Sequence, residues 1–113
     1  MVYSEKLAVR IRERLASHPA VEEKKMMGGL TFMVDDKMCV GIIGDELMCR
    51  IEPELHESAV EKNGCRTMDF TKRPMKGYVM IAVDGIKTEK DFNYWIDLAL
   101  DFNKRARSSK KKK

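Results

Sequence analysis

Three cysteines and two histidines are the first residues in this chain of 113 that could do chemistry. A zinc site or a redox pair needs Cys or His side chains close enough to share an ion or a bond. Cys39, Cys49 and Cys65 form no Cys-x-x-Cys, and His18 and His56 are separated from them and from each other. The thiols therefore read as small hydrophobes in a reduced compartment, and each histidine as a surface residue. Neither a metal nor a cofactor is expected.

Other catalytic templates fail on the same kind of test. Gly28-Gly29 and Gly41 do not make a Gly-x-Gly-x-x-Gly or a lysine-terminated phosphate loop, and Gly28-Gly29 precedes a strand pattern rather than a helix, so a turn or bulge explains them. No Gly-x-Ser-x-Gly is present; Ser4, Ser17 and Ser58 fall in helix or cap contexts. Glu22-Glu23 and the acids from Glu52 to Glu57 read as solvated charge flanking helices. No residue set identifies a reaction or a small-molecule substrate, and the expectation is a protein that is not an enzyme.

Basic residues raise the separate question of nucleic acid. Lys6, Arg10 and Arg14 recur every four residues, and Lys72, Arg73 and Lys76 crowd one loop. The formal net charge is +4, yet seven of the 22 basic residues lie from Lys104 onward; the remaining 15 face 18 acidic residues, so the body carries −3. The tail, ending in Lys110, Lys111, Lys112 and Lys113, reads either as a solubilising terminus or as a weak polyanion-binding arm. Arg73, Lys76 and those four lysines are the candidate phosphate contacts. No helix-turn-helix or zinc-finger pattern accompanies them.

The elements that position these residues follow from periodicity and turn chemistry. Leu7, Ile11 and Leu15 mark one face of a helix over residues 4 to 17 with Ser4 as its cap, and His18-Pro19 ends it. Three apolar runs between Met26 and Ile51 are separated by Asp35-Asp36 and Gly44-Asp45, the pattern of a three-stranded antiparallel meander. Pro53 opens a short helix that stops at Asn63-Gly64. Met68-Asp69-Phe70 is a minor strand candidate and Tyr78 to Val83 a central one. Thr88 caps a last helix buried through Phe92, Trp95, Ile96, Ala99 and Phe102. The order is α-β-β-β-α-(β)-β-α, an α+β fold: a two-layer α/β sandwich with the helices on one face of the sheet. One domain spans residues 1–105, and residues 106–113 form a disordered basic tail. Hydrophobic residues at 43% and charged residues at 35% suit a globular protein. No run approaches the roughly 20 apolar residues of a membrane span. Charges at Glu5 and Lys6 sit where a secretory signal would be apolar, so the cytoplasm is the expected location.

Two-residue turns also fix a register. Counting outward from them sets Met33 opposite Met38, Phe32 opposite Cys39, and Val40 opposite Cys49. Met33, Met38, Val40, Ile42, Leu47, Cys49 and Ile51 then form the face under the helices. Leu30, Phe32, Val34, Cys39, Ile43 and Met48, with Arg50 at the margin, form a second face too apolar for water. That face is the expected protein-interaction surface, for self-association as a homodimer or for another protein. The same register puts Cys39 and Cys49 on opposite sides of the sheet.

Several of these segments, in order, resemble the N-terminal domain of the TfoX/Sxy family. They are Met26 through Met33, Lys37 through Ile42, Asp45 through Arg50, Met68-Asp69-Phe70, Arg73 through Val79, and Trp95-Ile96 with Ala99-Leu100, covering roughly residues 3 to 105. Met27 stands where the family's Met-Phe-Gly-Gly has phenylalanine. The resemblance implies a secretion-chaperone-like two-layer architecture. It also implies kinship with bacterial regulators of competence for DNA uptake, which act with a cyclic-AMP receptor protein and carry a second, C-terminal domain. It supplies no catalytic residues. The expectation is a stand-alone, non-enzymatic interaction module with a regulatory role; nucleic-acid association through Arg73, Lys76 and the tail is the alternative.

Overall fold

The computed structural model describes residues 3–26, 28–68 and 76–106, the side chain of Met26 excepted. Helix α1 (Glu5–Arg14) leads into four strands, β1 (Val21–Met26), β2 (Gly29–Val34), β3 (Lys37–Ile43) and β4 (Glu46–Arg50). A 3-10 turn at Pro53–Leu55 runs into the one-turn helix α2 (His56–Ala59). Strands β5 (Cys65–Thr67) and β6 (Tyr78–Ile81) follow, then a 3-10 turn at Val83–Gly85 and helix α3 (Glu89–Asn103). All six strands join one antiparallel sheet in the order β1-β2-β3-β4-β6-β5. The α+β two-layer architecture is the one expected.

Local chemistry accounts for the element ends. The Ser4 hydroxyl accepts from the Leu7 amide at 3.2 Å, and the Thr88 hydroxyl accepts from Asp91 at 3.0 Å, each satisfying one orphan donor of a first helical turn. Asp35 and Asp36 take φ of 55° and 64°, the doubly left-handed conformation of a type I′ hairpin turn, whose twist matches that of the strands it joins. At Gly29 a Cβ would sit 1.9 Å from the Ile42 carbonyl oxygen, so the backbones of β2 and β3 meet only over glycine.

The sheet departs from the expected layout in three places. Val21–Met26 is a strand, paired along its whole length with β2, where only solvated charge was expected. The minor strand lies at Cys65–Thr67, three residues before the expected Met68-Asp69-Phe70, of which Asp69 and Phe70 fall outside the described residues. The third difference is a bulge. Met33 pairs with Met38 as counted from the turn, but Phe32 pairs with Val40, leaving Cys39 without an opposite residue.

That one extra residue reverses the faces of β2 relative to the rest of β3, because side chains alternate with period 2. Leu30, Phe32 and Val34 join Val40, Ile42, Leu47, Cys49, Val79 and Ile81 in a single core against Leu7 and Ile11 of α1, Ala59 of α2, and Phe92, Trp95 and Ile96 of α3. Cys39 is re-aimed into that core as well. Met33 and Met38, expected beneath the helices, face the other way. The helix-free side instead carries a separate cluster of Met48, Met68 and Met80, rimmed by half-buried Met38, Ile43 and Tyr78.

Candidate functional site

The expected interaction face therefore divides. Leu30, Phe32, Val34 and Cys39 are removed from it, since they lie in the main core; Phe32 has 0% of its surface exposed. Met48 and Ile43 do occupy the helix-free side, Met48 buried and Ile43 half-buried. Arg50 is half-buried at its margin, with its guanidinium 5.7 Å from the Tyr78 ring and 5.5 Å from that of Phe102. What the structure assembles here is a second, small methionine core: Met48, Met68 and Met80 are buried, and only its rim of Met38, Ile43 and Tyr78 is half-exposed. Sequence counting placed Ile43 and Met48 here but set Met38 on the other side, because the bulge at Cys39 carries no residue signature, and Met68 and Met80 lie outside the meander that was counted.

The basic row on α1 is largely spent within the fold. Arg10 donates to the Ile86 carbonyl at 2.9 Å and lies 4.1 Å from the centre of the Phe92 ring. Arg14 pairs with Asp97 on α3, and Lys6 is exposed. Off that row, Arg12 grips Glu23 of β1 with two bonds of 2.7 and 2.8 Å. The Arg12 hydrogen bond holds the Glu23 carboxyl below its usual range. Among the candidate phosphate contacts Lys76 is exposed just before Gly77; Arg73, Lys110, Lys111, Lys112 and Lys113 lie outside the described residues.

His56 is the clearest correction among the titratable groups. It is 6% exposed, not a surface residue, and both its ring nitrogens are engaged. The Gly77 amide donates to Nδ1 at 2.9 Å, so the ring proton sits on Nε2, 2.8 Å from the Thr67 hydroxyl. This neutral imidazole ties α2 to β5 and to the turn before β6. Gly77 itself has φ of 90°, and its carbonyl accepts from Ile51 at 2.8 Å.

All three cysteines are free thiols. Cys39 and Cys49 share the main core, which corrects their expected separation onto opposite faces. Burial pushes the Cys39 thiol up to about 12 and Cys65 to about 11, and raises Cys49 well above its ordinary value. A buried thiol resists ionisation because the thiolate loses its water, and a protonated thiol is a poor nucleophile and metal ligand. Among the described residues no group of three His, Cys, Asp or Glu is placed to hold a metal ion.

A family model described as the TfoX N-terminal domain matches residues 13–103. The chain belongs to the TfoX N-terminal domain family. No curated protein and no solved structure matches the chain. The family match runs from the end of α1 to the end of α3, so every strand of this TfoX N-terminal domain falls within it. The methionine cluster, the His56 tie and the bulge at Cys39 all lie within the matched residues. Among the described residues of this TfoX N-terminal domain, no helix is long and apolar enough to cross a membrane.

Proposed function

We propose that this domain is a non-enzymatic protein-interaction module of the cytoplasm with a regulatory role, and that its contact surface is the methionine face of the sheet, reached through its half-buried rim of Met38, Ile43 and Tyr78. The observation that carries this reading is how the chemically capable groups are used. His56 employs both ring nitrogens inside the fold, burial favours the protonated form of the thiols, and Arg10, Arg12 and Arg14 are bound to neighbours. Among the described residues, what is left is the half-buried apolar rim of Met38, Ile43 and Tyr78 around the buried methionines. Methionine side chains are unbranched and polarisable, and such surfaces accommodate varied partners. Regulation of DNA-uptake competence is the setting that the family resemblance suggests for it.

The test is affinity capture from the native host with the wild-type chain and with Met38→Glu and Ile43→Glu, each matched for melting temperature. Both positions are half-buried at the rim, so the charge alters the surface rather than the core. One or more proteins retained by the wild type and lost from both variants is the expected outcome. An identical set retained by all three would sink this use of the face.

A further inference from the structure

We propose that β1 is the docking edge for a second copy of this chain, joined antiparallel about a two-fold axis at Glu23 into one continuous sheet. This goes beyond the function proposed above and uses a different surface. Strand β1 ends the sheet: all six of its residues pair with β2, and no described strand pairs with its other side. The opposite edge, β5, is only three residues long. A long edge without proline or bulge is a template for strand addition.

The direction of the backbone selects the register. The Ala20 carbonyl accepts from Asp35 at 2.9 Å, in step with the β1–β2 ladder, so Ala20 points toward β2. Alternation then turns Glu22 and Lys24 toward β2, and Val21, Glu23 and Lys25 outward. A two-fold centred on Glu23 pairs Val21 with Lys25 of the second copy, Glu23 with its own counterpart, and Lys25 with Val21. These outward pairs make about six backbone hydrogen bonds, two per pair. Centring on Glu22 or Lys24 leaves about four and sets like charges directly opposite each other.

The side chains agree with the centre on Glu23. Glu22 faces Lys24 of the second copy, and Lys24 faces Glu22, in the closely spaced positions where side chains interact most. The two Glu23 carboxylates meet on the helix side, but each arrives bound by Arg12, so the middle of the interface is neutral. Lys25 of the second copy comes opposite Val21, beside a hollow of about 480 Å³ lined by Pro19, Ala20, Val21, Glu22, Asp35 and Asp36. An acidic hollow therefore lies beside the incoming lysine. The contact is isologous, as two-fold dimers require.

Sedimentation equilibrium over a concentration series tests this with the full chain. The wild type is expected to dimerise, and Glu22→Lys and Lys24→Glu each to weaken the dimer about tenfold or more, because two facing pairs become like-charged. Mixing those two single variants restores association, since every facing pair is then opposite in sign, and the double variant restores self-association. Lys25→Pro removes an outward amide without touching the ladder to β2, so it gives a folded monomer. A wild type that stays monomeric at high concentration overturns the proposal. So does failure of the charge-swapped mixture to associate, or a dimer broken by Ile43→Glu and untouched at β1; that last result would place self-association on the methionine face.

Discussion

Replacing His56 by alanine should destabilise the domain far more than a surface histidine could. The ring is buried, and its loss strands the Gly77 amide, which donates to Nδ1 at 2.9 Å. An unsatisfied buried donor costs roughly 1–3 kcal/mol, and removing the ring's packing adds on the order of 1 kcal/mol more. The sum is about 3 kcal/mol, which for a domain of this size lowers the melting temperature by about 12 °C. Thr67→Val retains the shape at the other end of the tie and leaves only the Nε2 proton unpaired, a loss of about 1 kcal/mol or about 4 °C. Because the hydroxyl needs the imidazole at 2.8 Å, the two effects are coupled. The double variant should be no less stable than His56→Ala by more than about 0.5 kcal/mol. Urea unfolding followed by circular dichroism measures all three. A loss below about 1 kcal/mol for His56→Ala, or strict additivity in the double variant, would refute the claim that His56 ties these elements together.

Two further outcomes follow from the packing. Phe32→Ala should cost roughly 3–5 kcal/mol in the same unfolding assay, as a fully buried aromatic does, whereas an exposed face residue would change stability by less than about 0.5 kcal/mol. Cysteine labelling with a disulfide reagent at pH 8 should be slow in the native state. With its thiol near 11, Cys65 is ionised in only about one molecule in a thousand, and Cys39 and Cys49 should react only on unfolding. Rapid modification of either core thiol in the folded protein would contradict their burial.

The parts of the fold legible in the sequence are those written in neighbouring residues. Ser4 and Thr88 cap helices because a hydroxyl reaches an amide three positions on, and Asp35-Asp36 makes its turn within two residues. Strand β1 was illegible because it is an edge: Glu22, Glu23, Lys24 and Lys25 are all exposed, so no apolar alternation marks them, and only the ladder to β2 makes them a strand. His56 was misread for a similar reason. Its partners Thr67 and Gly77 are 11 and 21 positions away, beyond any local pattern. The methionine cluster on the helix-free side was half legible. Ile43 and Met48 keep their side because their register is fixed from the Gly44-Asp45 turn, which no bulge interrupts.

The bulge at Cys39 has a consequence for how relatives of this domain are compared. A strand is a binary code in which odd and even positions name its two sides, and an unpaired residue flips the parity for everything beyond it. Two family members matched by hydrophobic alternation alone will fall out of phase by one position if only one of them keeps the extra residue. The gap then belongs inside β3, beside position 39, although alignments ordinarily place gaps in loops. Matched without it, core residues of one chain would be set against surface residues of the other, and a preserved interior would look like divergence.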